Sequence, residues 1–96
     1  MRPSEALRLR RDALVELILA RGASRLRVFG SVARGQDHDG SDVDLLVDMP
    51  NGASLLQLVG LQLELQDVLG SPVDLCTERE LHPMLRDRIL AEARSV

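Results

Sequence analysis

The run Asp42-Val43-Asp44-Leu45-Leu46-Val47-Asp48 constrains this chain more than any other feature. It reads as a short apolar strand opened by two carboxylates. A strand has a side-chain period of two, so Asp42 and Asp44 lie on the same face, several ångströms apart. Two like charges that close cost free energy unless a cation lies between them or one is protonated. The stretch from Gln36 to Asp48 holds five Asp and neither Lys nor Arg. A hard divalent cation, Mg²⁺ above all, is the natural partner of an oxygen-only set.

A strand this short and apolar needs cover from helices, and the rest of the chain provides it. Ser4 followed by Glu5 predicts a helix start, and Leu7, Leu14, Leu17 and Ile18 recur at helical spacing, giving helix 1 over about Ser4–Arg21 with Gly22 as its stop. Leu26–Phe29 predicts strand 1, closed by Gly30. A short helical turn over Ser31–Arg34 and a polar loop over Gln36–Ser41 lead into strand 2, Asp42–Asp48. Ser54-Leu55-Leu56-Gln57 is a capping box that opens helix 3, which runs to Leu69 and stops at Gly70. Pro72–Cys76 is strand 3. Thr77-Glu78-Arg79-Glu80 is a second capping box and opens helix 4, interrupted near Pro83 and ending near Ala93. The order α-β-α-β-α-β-α implies an α/β (α+β) fold, a small mixed sheet of three to four strands packed with helices.

Size and composition narrow the function. Ninety-six residues support one small core, so residues 1–96 are expected to form a single domain. With 45% apolar and 28% charged residues the chain is of globular composition. Phe29 is the sole aromatic, which argues against base-stacking recognition of single-stranded nucleic acid, and a net charge of −3 argues against general polyanion binding. All 12 basic residues are Arg, so chemistry requiring a lysine is excluded. Cys76 is the lone cysteine and is expected to be a small apolar core residue, which fits a reducing cytoplasm. Neither an apolar leader nor a membrane-length segment is visible, so a cytoplasmic location is expected.

Two further features belong with Asp42 and Asp44. Asp74 sits inside strand 3 between Val73 and Leu75. If strand 3 pairs beside strand 2, Asp74 joins the other two on one face, and three carboxylates can hold two metal ions for in-line phosphoryl or nucleotidyl transfer. Gly30-Ser31 follows directly on strand 1, where a glycine lets the backbone approach a phosphate and the Ser31 hydroxyl can donate to it. Arg34 is a further candidate phosphate contact. Gly30 and Gly35 have the glycine spacing of a P-loop, but Gln36-Asp37 stand where that motif needs Lys-Ser/Thr. Asp37-x-Asp39-x-Ser41 resembles the start of an EF-hand loop, but Asp42 replaces the required glycine. Asp37 and Asp39 are therefore expected to be solvated loop residues, and His38 and His82 surface or capping residues.

Together, Gly30-Ser31, Asp42-x-Asp44 and Asp74 resemble the signature of the nucleotidyltransferase superfamily with the DNA polymerase β-type fold. The fuller strings Gly30-Ser31-x-Ala33-Arg34-Gly35 and Ser41-Asp42-x-Asp44-Leu45-Leu46-Val47, with the tail from Leu81 to Ala93, are similar to the minimal nucleotidyltransferase (MNT) antitoxins of HEPN–MNT toxin–antitoxin pairs. The resemblance implies an Mg²⁺-dependent enzyme that transfers AMP from ATP to a hydroxyl, a tyrosine of the partner HEPN ribonuclease toxin. It implies that Asp42 and Asp44 hold both of two metal ions, that Asp74 holds the catalytic one and helps deprotonate the acceptor, and that Gly30 and Ser31, with Arg34 and Ser41, contact the nucleotide. Without an acceptor-binding domain, a protein acceptor fits better than a small molecule or tRNA. A non-catalytic antitoxin that works by binding alone, and a small-molecule enzyme borrowing its acceptor site from another chain, are the alternatives.

One helix carries more apolar surface than a single core face requires. In helix 3 the leucines and valines spread beyond a stripe of about 100°, with Gln62 and Gln66 interrupting the arc. Part of helix 54–69 is therefore expected either to meet a partner or a second copy, or to be more deeply buried than an ordinary surface helix.

Overall fold

The apolar run after Asp42 becomes an inner strand of a four-stranded sheet. A computed structural model describes all 96 residues, Met1 to Val96. Its strands are β1 (Ser24–Phe29), β2 (Val43–Asp48), β3 (Val73–Cys76) and a two-residue β4 (Arg94–Ser95), in the order β3-β2-β1-β4. β1 is antiparallel to β2 and to β4, whereas β2 and β3 are parallel. The helices are α1 (Pro3–Leu9), α2 (Arg11–Ala20), the single turn α3 (Gly30–Ala33), α4 (Leu55–Leu69) and α5 (Pro83–Glu92). A parallel pair needs a long crossover, and α4 is that crossover. The expected mixed sheet with helices is present. No helix is long and apolar enough to cross a membrane.

Strand alternation sorts the two faces. Leu26, Val28, Val43, Leu45, Val47, Val73 and Leu75 join Leu14, Ile18, Leu58, Leu61, Leu65 and Leu69 in one core cluster. Asp44 and Asp74 alternate with these residues and so stand on the opposite face. That leaves the carboxylates free of the helical layer while the strands beneath them are fully packed.

Several boundaries differ from the sequence expectation. Helix 1 is two helices, broken at Arg10 (φ −106°, ψ 14°). The break lets Ala6 and Leu7 on one side, and Leu14 and Ile18 on the other, reach the same core. Ser4 is not the N-cap: Arg2 is, with Pro3 in the first helical position, where its missing N–H costs nothing. The Thr77/Glu80 box closes only a 3₁₀ turn, Glu78–Glu80, and does not open helix 4. Proline drives the preceding residue out of the helical region. His82 is accordingly extended in ψ (131°), and α5 starts afresh at Pro83 with the His82 ring nitrogen accepting from the Met84 N–H.

Asp37 is the clearest correction. Expected in solvent, its side chain is fully buried. It accepts from the Ser4 N–H at 2.8 Å and from Arg2 Nη2 at 3.0 Å, tying the loop to the start of α1. Burial alone would raise the Asp37 carboxyl, but the hydrogen bonds from Ser4 and Arg2 outweigh it and hold the group below the usual carboxylate range. A depressed folded pKa adds stability above the unfolded value and loses it as pH falls through the folded one. Asp37→Ala is expected to cost about 1–3 kcal/mol, measured by denaturant titration at neutral pH, with the difference from wild type shrinking below about pH 4.

The other acidic residues of that loop separate by role. Asp39 pairs with the N-terminal amine, and Asp48 with Arg25 and Arg27. Arg27 is itself buried and also bonds Glu78 at 3.0 Å, tying the middle of β1 and the end of β2 to the 3₁₀ turn. Only Asp42 and Asp44 remain for the open face.

α4 begins and ends as its sequence dictates. Ser54 and Gln57 exchange capping hydrogen bonds, and Gly70 takes the left-handed conformation (φ 72°). Leu58, Leu61, Leu65 and Leu69 are buried, while Leu55, Leu56, Val59 and Leu63 are exposed. The surplus apolar arc therefore lies at the surface. Gln62 and Gln66 interrupt that arc for a different reason: their side-chain oxygens accept from the backbone N–H groups of Leu75 and Val73 at 3.0 and 3.1 Å, along the outer edge of β3.

Candidate active site

Register brings the site together. In the parallel pair, Asp44 stands directly beside Asp74, at the strand spacing of about 4.8 Å. On its other side Asp44 is paired with Phe29, the last residue of β1, so Gly30 begins where Asp44 lies. Asp42 sits two residues before Asp44, just ahead of β2, and is exposed, as is Asp74; Asp44 is partly covered. Burial pushes the Asp44 carboxyl up, and the neighbouring Asp74 and Asp42 charges push it further, against the pull of Arg34. Asp44 thus feels both of the other carboxylates.

Gly30 is required by this geometry. Its φ is +73°, and a Cβ built there would lie 3.1 Å from Asp44 Cγ and closer still to Oδ2. Only glycine combines the left-handed backbone with room for the carboxylate. Ser31 follows in the first turn of α3, half-covered. Arg34, at the end of that turn, donates from Nη1 to Glu92 Oε1 at 2.5 Å and from Nε to Gln36 Oε1 at 3.0 Å. Ser41 uses its hydroxyl within the loop, accepting from the His38 N–H at 2.9 Å. Cys76, on the carboxylate face, is half-buried and not a full core residue; burial and then the Asp74 charge push its thiol up to about 12, so it stays protonated and is no nucleophile at neutral pH.

Sequence reasoning missed Glu92 as a member of the site. Its carboxylate accepts from the Gly30 N–H at 3.0 Å as well as from Arg34, and these bonds hold it below the usual glutamate range, the Arg34 bond foremost. A contact spanning 62 residues leaves no trace in local spacing.

The chemistry of the donor set fits a hard dication: two carboxylates in register, one of them with raised proton affinity, and a third just ahead of the same strand, beside a thiol that stays protonated. The side chains are aligned but not closed, since no three His, Cys, Asp or Glu groups converge tightly enough to clamp an ion. Three like charges gain nothing by closing without a counter-charge between them.

Comparison with known proteins agrees with this arrangement. Residues 9–96 match the family model described as the nucleotidyltransferase domain. A solved structure assigned to a minimal nucleotidyltransferase superposes with a TM-score of 0.85 at 47% identity, covering 97% of this chain and 95% of that one. The chain belongs to the nucleotidyltransferase domain family, in its minimal form. MJ0435 of Methanocaldococcus jannaschii, assigned as a protein adenylyltransferase, is 46% identical over 83 residues, 86% of this chain and 89% of the relative. Within the family, then, the chain is an enzyme of the protein adenylyltransferase kind. A toxin–antitoxin complex solved with AMP-PNP shares the fold at a TM-score of 0.75 and 22% identity, covering 88% of this chain and 69% of that one.

Proposed function

We propose that this protein transfers AMP from ATP to a hydroxyl, a tyrosine, of a partner HEPN ribonuclease toxin, and silences it as an antitoxin. The observation that carries the reading is the register of Asp44 beside Asp74, with Gly30 against Asp44. The likeness to a toxin–antitoxin complex solved with AMP-PNP supports ATP and a toxin partner.

In this reading the acceptor oxygen bonds to the α-phosphorus, the α–β phosphoanhydride bond breaks, and pyrophosphate leaves. Asp74, exposed at the edge strand, takes the hydroxyl proton. Gly30, Ser31 and Arg34 seat the triphosphate, and Ser41 shapes the loop that delivers Asp42. Asp42, Asp44 and Asp74 would hold Mg²⁺, two ions, which supply charge neutralisation at the phosphates and lower the pKa of the attacking hydroxyl. The exposed leucines of α4 offer the partner, or a second copy, an apolar surface. Action in the cytoplasm, where ATP and Mg²⁺ are abundant, follows from the same reading.

Intact mass spectrometry tests it. The toxin partner, incubated with this protein, ATP and Mg²⁺, is expected to gain one or more AMP units, and Asp42→Ala is expected to abolish the gain. A silenced partner of unchanged mass in a stable complex would establish neutralisation by binding alone.

A further inference from the structure

Glu92 closes α5, and α5 is an unusual helix. None of its ten residues is buried. Ile89, Leu90 and Glu92 are half-covered at its C-terminal end, and beyond that partial packing two attachments fix this end. One is the short pairing of Arg94 and Ser95 with β1. The other is the Glu92 carboxylate, which reaches the Gly30 N–H with one oxygen and Arg34 with the other. Its side chain is only 20% exposed, whereas that of Arg34 is 43% exposed.

An arginine side chain carries large rotamer freedom, which is lost when it binds a phosphate. Here that freedom is already restricted from two sides, by Glu92 at Nη1 and by Gln36 at Nε. A guanidinium has five N–H donors, and these two bonds leave the others for an anion. The same carboxylate fixes the glycine whose backbone turns against Asp44. Resting on the reading of Gly30, Ser31 and Arg34 as the triphosphate seat, we propose that Glu92 is a positioning residue: it presets the Arg34 guanidinium and the Gly30 backbone for the nucleotide's phosphates. It touches neither substrate nor metal and acts through those two groups. The opposite role, in which the carboxylate competes with phosphate for the same donors, predicts the reverse effect on affinity.

The experiment uses the full chain, AMP-PNP with Mg²⁺ for binding, and ATP with the toxin partner for kinetics. Glu92→Gln keeps an oxygen for the Gly30 N–H but removes the charge that holds Arg34. It is expected to raise Kd for AMP-PNP and KM for ATP about tenfold, with kcat changed less than about threefold. Gln36→Ala, at an exposed position, is expected to raise KM in the same direction by a smaller factor. Arg34→Ala is expected to cost less affinity in the Glu92→Gln background than in wild type, because the two act as a unit. Unchanged affinity in both variants, additive effects, or tighter binding by Glu92→Gln would each overturn the proposal, the last in favour of competition with phosphate. A wild type that binds no AMP-PNP would overturn the triphosphate-seat reading, and this proposal with it.

Discussion

Asp44→Asn is expected to reduce AMP transfer by about 10³-fold or more, equivalent to some 4 kcal/mol of transition-state stabilisation. The same substitution is expected to make the metal-free protein more stable. Burial and the charges of Asp74 and Asp42 raise the Asp44 carboxyl, so its ionised form is disfavoured in the fold. A raised folded pKa adds stability below the unfolded value and loses it as pH rises through the folded one. At neutral pH the metal-free wild type therefore carries an electrostatic penalty that Asn removes. Like charges placed directly opposite in a sheet are worth on the order of 0.5–1 kcal/mol. Each kcal/mol moves the midpoint of a domain this size by about 4–8 °C. A pair of melts with and without Mg²⁺ checks the claim. Wild type is expected to gain from Mg²⁺ and Asp44→Asn to gain little. Retained transfer would remove Asp44 from the machinery, and a lower melting point without metal would remove the penalty.

The second large effect belongs to Gly30→Ala. A left-handed backbone costs an ordinary residue about 1–2 kcal/mol. The added methyl also runs into the Asp44 carboxylate, an atom the chemistry needs in place. Transfer is expected to fall about 10²-fold or more, since small misplacements at a reacting centre carry penalties of that size. Gly35→Ala separates the two causes. Gly35 has nearly the same backbone (φ +70°), but a Cβ there meets nothing within 4 Å. It should share the loss of stability and keep the activity. Equal activity loss in both variants would mean that backbone strain, and not the collision with Asp44, is responsible.

The contrast between these glycines shows what a linear reading reaches. Asp44 and Gly30-Ser31 are local: a period-two strand and a strand-to-helix turn place them, while Asp42, expected as the first residue of the strand, lies one residue ahead of β2 and stays near Asp44 by chain proximity. Asp74 is legible because a charged residue inside an apolar strand demands a reason. Arg10, Asp37 and Glu92 are different. The break at Arg10 conserves the apolar spacing on both sides, so periodicity alone does not register it. Asp37 has the composition of a solvated loop residue, and only the distant start of α1 makes it a buried acceptor. Glu92 meets Gly30 because β4 folds the end of the chain back beside β1. Two residues were too short a strand to stand out.

Gln62 and Gln66 point beyond catalysis. A sheet edge normally presents a ladder of unsatisfied donors, which invites another chain to add a strand and start a fibril. At β3 the outward donors of Val73 and Leu75 already belong to two glutamines of α4. Two donors that an added strand would need at that edge are therefore already occupied, which disfavours extension of the sheet on the side that carries Asp74. The helix that exposes leucines to solvent thus quiets the sheet edge beside it with two amides.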